Sequence, residues 1–107
     1  MEDPVDVVLI DDCFRISGEL FGDRAVEVSQ TLRQLAAATG GDSFRLDLSG
    51  VTFCDSCGLR EILLWSRSQP AMRIIAVNQK LERKMTLAGM TEILLRSDAW
   101  RPSPLEQ

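Results

Sequence analysis

The hydrophobic pattern of this 107-residue chain changes its period several times, and this alternation limits the folds that the chain can adopt. Residues 5–10 (VDVVLI) are rich in β-branched side chains and predict a strand, and residues 14–16 predict a second strand after a hairpin turn at Asp11-Asp12. Apolar residues then recur at helical spacing, at Ala25, Val28, Leu32, Leu35 and Ala36. We therefore expect two strands and then an amphipathic helix of about 15 residues.

Polar and glycine residues indicate where these elements begin and end. Asp23 is the predicted N-cap of the first helix, because its carboxylate can accept a hydrogen bond from a first-turn amide, and Gly40-Gly41 are predicted to end that helix. The apolar residues at positions 44, 46 and 48 alternate as in a strand. The turn residues Ser49-Gly50 are predicted to end this strand.

The second half of the chain continues the alternation. A short helix is predicted from Asp55, with its inner face formed by Leu59, Ile62, Leu63 and Ser66. Pro70 breaks this helix, and residues 72–77 have the length and composition of a strand. A third helix is predicted between an Asn78 N-cap and Gly89, with Leu81, Met85 and Ala88 on one stripe and Met85 in the core. Strands that alternate with helices in this order predict an α/β domain with a central sheet.

The extent of the domain follows from the same pattern. We expect one domain over residues 1–107, with a core of about residues 5–97 and a flexible tail at residues 98–107. Residues 93–95 are predicted to be either a last edge strand or part of a helical tail.

Charge and composition exclude several classes of function. The 12 basic and 16 acidic residues give a net charge of −4, which argues against nucleic acid as a partner. No apolar run reaches the roughly 20 residues that span a bilayer, and the first residues (MEDPVD) are acidic, unlike a secretion signal. We therefore expect a cytoplasmic protein without a membrane partner. Three cysteines in such a chain predict reduced thiols.

The most informative segment is residues 46–64 (LDLSGVTFCDSCGLREILL), in which a strand gives way to a helix near Asp55 and Ser56. The first turn of a helix offers unpaired amides and a positive dipole end, which makes Ser56 chemically suitable as a phosphate acceptor. Asp and Ser are also common N-caps, so the spacing alone favours a structural role in which one of the two residues simply caps the helix.

This segment resembles the signature of the STAS family of anti-sigma factor antagonists, in which Asp-Leu-Ser is followed by Asp-Ser-Ser-Gly-Leu at a helix start. Weaker similarities are Ile16-Ser17-Gly18-Glu19-Leu20 and Leu87-Ala88-Gly89-Met90. The resemblance implies a STAS fold, a mixed central β-sheet of four to five strands covered by about four α-helices. It also implies that an anti-sigma factor with serine kinase activity phosphorylates Ser56, and that the unmodified chain binds this partner and frees a sigma factor.

By the same resemblance, the partner-binding residues are expected to be Asp23, Asp55, Ser56, Cys57, Gly58, Leu59 and Arg60. The chain departs from the family pattern at two positions. Cys57 stands where the family usually has a second serine, which is not the phosphate acceptor. Phe21 stands where an aspartate is expected, and Asp23 is the candidate to replace that aspartate as a cap.

Other readings of the same residues predict different functions. Cys54 and Cys57 form a C-x-x-C pair between a strand and a helix, as in thiol redox proteins, although Cys54 also fits a small core residue. The absence of histidine argues against zinc and removes the usual general base, so we expect no cofactor, metal or catalytic residue. STAS domains also occur as subunits of transport and sensory complexes, in which Ser56 would be structural.

The remaining expectations concern surfaces and assembly. Trp65 and Trp100 are candidate interface anchors, because tryptophan is common in binding hot spots, with ordinary partial burial as the alternative. Arg60, Glu61 and Arg67 are predicted to form the solvent-facing side of their helix. The chain is expected to be a monomer or a weak dimer.

Overall fold

A computed structural model describes residues 5–67 and 71–90 of the chain. The first two strands, β1 (Asp6–Ile10) and β2 (Cys13–Leu20), form an antiparallel hairpin that pairs Ile10 with Cys13. Asp11 has a φ of 58° in the turn, a left-handed conformation that aspartate tolerates better than most residues. The predicted hairpin at Asp11-Asp12 is confirmed.

Helix α1 (Gly22–Thr39) follows the hairpin. It buries Ala25, Val28, Leu32 and Ala36, as the helical spacing predicted, and also Ser29. Gly40 ends the helix with a φ of 76°, and its amide donates to the carbonyl of Ala36. Glycine adopts this left-handed conformation without a steric cost, so the predicted C-terminal boundary is confirmed.

Strand β3 (Ser43–Cys54) is longer than the sequence predicted. The expected turn at Ser49-Gly50 is wrong, because both residues continue the strand. Gly50 pairs with Ser17 of β2, and a Cβ at position 50 would lie 2.7 Å from the Ser17 Cβ. The glycine is therefore needed for close approach of two strands, and the register shifts nearby to accommodate it.

The remaining elements are α2 (Ser56–Ser66), β4 (Ala71–Val77) and α3 (Gln79–Leu87). Asn78 caps α3 as predicted, since its side chain accepts from the Leu81 amide at 2.8 Å. Gly89 has a φ of 79° and ends the helix in a Schellman arrangement, in which the Met90 amide donates to the Met85 carbonyl. Ala88, predicted on the inner stripe, is exposed instead because the helix has already ended at Leu87.

The four strands form one sheet in the order β1-β2-β3-β4, in which only the β1–β2 pair is antiparallel. Within the described residues this is a mixed sheet of four strands, which agrees with the four to five strands that the resemblance implied. The described part of the chain contains three helices rather than about four. Predictions for Pro70, residues 93–95, Trp100 and the tail fall outside the described residues.

The core lies between the sheet and its helices. Its largest fully buried side chains come from β2, α1, β3, α2, β4 and α3, and are Phe14, Phe44, Ile16, Leu20, Leu32, Leu46, Leu48, Ile62, Ile74 and Met85. Met85 is thus in the core as predicted. Among the described residues, no helix is both long enough and apolar enough to cross a membrane.

Candidate functional site

Asp55 lies between β3 and α2 and acts as the N-cap of that helix. Its backbone is extended, with φ −97° and ψ −171°, and its Oδ1 accepts a hydrogen bond from the Gly58 amide at 2.9 Å. The first amides of a helix have no intrahelical acceptor, so a carboxylate here satisfies one of them. Asp55, and not Ser56, is therefore the N-cap of α2.

The second oxygen of Asp55 acts on another helix. Oδ2 accepts a hydrogen bond at 3.2 Å from the amide of Gly22, the first residue of α1. The predicted N-cap role of Asp23 is therefore wrong: the capping position is Phe21, which makes no side-chain cap bond, and Asp23 lies exposed in the first turn. One carboxylate joins the beginnings of α1 and α2.

Ser56 is the first residue of α2, and it is exposed. Because Asp55 supplies the cap, the Ser56 hydroxyl is not needed for that purpose, and it has no hydrogen-bond partner within the described segments. The first backbone bond of the helix runs from the Leu59 amide to the Asp55 carbonyl. The amides of Ser56 and Cys57 come before this first bond, so they have no acceptor within the helix. They lie next to the serine hydroxyl in the chain.

The residues after Ser56 differ in exposure. Cys57 and Arg60 are exposed, and Leu59 is partly buried against the core. Gly58 is buried, and a Cβ at this position would lie 2.4 Å from the Leu20 carbonyl oxygen and 2.6 Å from the Cys54 Sγ. Gly58 therefore allows α2 to begin in close contact with the end of β2, and a partner cannot readily reach it.

An aromatic cleft that the sequence did not indicate adjoins this turn. It has a volume of about 360 Å³ and is lined by Glu19, Phe21, Phe53 and Asp55. The rings of Phe21 and Phe53 meet edge to face with centroids 6.0 Å apart, and Phe53 is 41% exposed. The residues come from two segments of the chain, at the ends of β2 and β3, and no sequence pattern marked Phe53 as part of a cleft.

Two cations and one unpaired oxygen accompany the aromatic cleft. Arg24 and Lys84 each lie 5.0 Å from a ring centroid, of Phe21 and Phe53 respectively, and Lys84 Nζ also donates to the Cys54 carbonyl at 2.6 Å. Glu19 Oε1 is buried without a hydrogen-bond partner in the described part of the chain. The surface next to Ser56 therefore combines aromatic faces with charges of both signs.

The burial of the cysteines indicates whether Cys54 and Cys57 are suited to act as a thiol redox pair. All three cysteines are free. Cys54 is buried, and burial raises the pKa of its thiol to about 11, with Lys84 opposing the shift. A thiol with so high a pKa is a poor nucleophile at neutral pH, and the core role predicted for Cys54 is confirmed. Within residues 5–67 and 71–90, no group of three or more potential ligand side chains is placed to hold a metal.

Glu61 and Trp65 are placed differently from the sequence predictions. Glu61, expected on the solvent-facing side of α2, is only 9% exposed, and Trp65 is 3% exposed. Ser29 of α1 lies between them: its Oγ donates to Glu61 Oε1 at 2.6 Å and accepts from Trp65 Nε1 at 2.6 Å. Trp65 is therefore a buried contact between α1 and α2. Arg60 and Arg67 are exposed, as predicted.

Comparisons with known proteins agree with this architecture. A family model described as "Mlab, STAS domain" matches residues 8–96. A solved structure described as an anti-sigma factor antagonist from Mycobacterium paratuberculosis is 19% identical, covering 99% of this chain and 94% of its own, with a TM-score of 0.68. At this identity the similarity shows a shared fold. A comparison with curated proteins gave no match.

Proposed function

The chain belongs to the STAS domain family, and from this membership we propose that it is an anti-sigma factor antagonist. In its unmodified form it binds an anti-sigma factor that is also a serine kinase, and this binding frees a sigma factor. Transfer of a phosphoryl group from ATP to the Ser56 hydroxyl ends the binding. The chain acts as a binding protein, and the ATP site belongs to the partner.

The observation that carries this proposal is the exposed hydroxyl of Ser56 at the first turn of α2. A kinase must reach this oxygen, and the cap formed by Asp55 leaves it uncommitted. A helix start also tolerates an added anion, because its amides and dipole favour negative charge. Phosphorylation at this position is therefore compatible with the folded domain.

The same modification would change the surface that the partner contacts. A phosphoserine carries close to two negative charges and three strong acceptor oxygens. Placed beside Asp55 at an interface, it adds repulsion against acidic groups and a desolvation cost for any partner surface that fitted the neutral hydroxyl. Binding should weaken for this reason.

The proposed partner-binding surface extends around Ser56. It includes the exposed residues Asp23, Cys57 and Arg60, the partly buried Asp55 and Leu59, and the backbone shaped by Gly58. The exposed ring of Phe53 enlarges this surface with an aromatic group of the kind that is enriched at protein interfaces.

Mass spectrometry after incubation with ATP and the cognate kinase tests the modification directly. We expect one phosphate on Ser56. A phosphate on a different residue, or no phosphate, contradicts the proposal.

Calorimetric titration of Ser56 variants with the partner tests the switch. Ser56→Asp should bind more weakly and Ser56→Ala should bind as the unmodified chain does, if charge is the signal. Ser43→Asp is the matched control, because Ser43 is exposed at the opposite end of the 12-residue strand β3, about 36 Å away along the strand. Equal affinities of Ser56→Asp and Ser56→Ala would refute the mechanism.

A second candidate function is that of a STAS subunit in a transport or sensory complex, with a structural Ser56. The observation behind this candidate is the matching family model itself, whose description reads "Mlab, STAS domain". Copurification separates the two: an ATP-binding kinase domain supports the first candidate, and a membrane permease supports the second.

A further inference from the structure

We propose that Arg60 is the counter-ion of phosphorylated Ser56, so that modification also withdraws this arginine from the partner. The inference rests on the proposed function and specifies how its switch works. It arises from the exposed face of α2, which presents Ser56, Cys57, Arg60 and Leu64 to solvent.

The spacing of Ser56 and Arg60 brings the two side chains together. Both lie in the continuous helix Ser56–Ser66, and residues four apart are neighbours on a helix surface. An acidic group that precedes a basic one by four residues has the more favourable of the two orientations. A phosphate on Ser56 would therefore lie one turn before the Arg60 guanidinium, which can bind two of its oxygens at once.

The two acidic residues next to Ser56 and Arg60 in sequence, Asp55 and Glu61, are already engaged. Asp55 uses both carboxylate oxygens on the amides of Gly58 and Gly22. Glu61, next to Arg60 in sequence, is buried and bonded to Ser29. Within the described segments Arg60 has no ion pair, and the exposed face of α2 carries no acidic residue that would compete with a phosphate on Ser56.

This pairing gives the switch a second component. In the unmodified chain the exposed face of α2 carries one positive charge, from Arg60, which is part of the proposed partner-binding surface. After phosphorylation the face becomes net negative, and the guanidinium is held by the phosphate. The partner then meets an added charge and also loses an arginine contact.

A phosphorus NMR titration of protein with phosphoserine installed genetically at position 56 tests the pairing without any kinase. The second pKa of the phosphate, about 6 in the absence of a partner group, should be lower with Arg60 than in the Arg60→Gln variant. We expect a difference of about half a pKa unit, with Arg60→Lys between the two, because a neighbouring cation stabilises the dianion.

Arg67→Gln is the matched control. Arg67 is also exposed, but it lies about 16 Å from Ser56 along the helix axis, so its removal should leave the phosphate pKa unchanged. Equal pKa values with and without the Arg60 guanidinium would overturn the pairing even if a kinase modifies Ser56. A clear difference in pKa would support the pairing even if no kinase modifies Ser56. In that case only the proposed function would fail.

Discussion

Asp55 accepts hydrogen bonds from the Gly58 amide and from the Gly22 amide, so one side chain acts at the first turns of both α2 and α1. Of these two hydrogen bonds, the sequence predicted the one at the start of α2 and not the one at the start of α1. A cap for α2 was visible because Asp55 directly precedes a helical pattern. The bond to Gly22 spans 33 residues, and local spacing instead assigned the cap of α1 to Asp23.

Substitution of Asp55 should distinguish these two bonds. Asp55→Ala removes both and should lower the free energy of unfolding by about 1–2 kcal/mol, a typical loss for an N-cap. Asp55→Asn should cost less, because its Oδ1 can still accept from Gly58 while its amide group cannot accept from Gly22. Urea denaturation measures both changes. Asp23→Ala is the control, and a loss as large as that of Asp55→Ala would contradict the assigned cap.

At the scale of elements, the strands and helices followed the hydrophobic period, whereas two details depended on contacts between distant segments. Ser49-Gly50 have the composition of a turn, yet β3 continues through them because Gly50 packs against Ser17 of the neighbouring strand. Glu61 has the composition of a surface residue, yet it is buried because Ser29 of α1 provides a hydrogen bond. Neither partner is identifiable from local pattern.

The contact between α2 and β2 should be sensitive to a single added methyl group. Gly58→Ala would place a Cβ 2.4 Å from the Leu20 carbonyl oxygen, and this backbone atom cannot move away without distorting the strand. We expect a loss of about 1–3 kcal/mol in the free energy of unfolding, the usual range for overpacking. The control is Gly41→Ala, whose Cβ would meet only the end of the Phe44 ring, at 3.1 Å. Similar losses for both variants would contradict this account.

The polar contact between α1 and α2 leads to a third prediction. Ser29→Ala would leave the buried Glu61 carboxylate and Trp65 indole without the hydroxyl that joins them. Unfolding in urea should show a loss of about 1–3 kcal/mol, the cost of leaving the buried Glu61 carboxylate without this hydrogen bond. Thr31→Ala on the same helix should change stability by less than about 0.5 kcal/mol, because its bond to the Glu27 carbonyl is exposed. An unchanged stability of Ser29→Ala would argue against a structural role for this contact.

At the scale of the whole molecule, the alternation of strand and helix periods predicted the α/β class, and residues 46–64 indicated the family. The parallel pairing of β2 with β3 and of β3 with β4 is explained by the helices that connect these strands. The aromatic cleft was not predictable, because Glu19, Phe21, Phe53 and Asp55 come together only when β2 and β3 lie side by side.

Global stability should depend on pH through the buried thiol of Cys54. Its pKa is raised from 9.0 to about 11 in the folded chain, so between these values the unfolded chain loses a proton that the folded chain retains. The folded chain's preference for the neutral thiol therefore contributes fully to the free energy of unfolding below pH 9. This contribution is lost as the pH rises toward 11. The free energy of unfolding should therefore fall more steeply over this range in the native chain than in Cys54→Ala. Parallel pH profiles for the two proteins would contradict the assignment.

Under the proposed function, the hydrogen bonds of Asp55 to both helix starts would also affect the rate and entropy of partner binding. Because the backbone on either side of Ser56 is held in place before any encounter, an incoming protein would not have to order a loop there. Little conformational entropy would be lost at this point of the interface. Complex formation should then proceed in one kinetic phase, at a rate governed by diffusion and orientation.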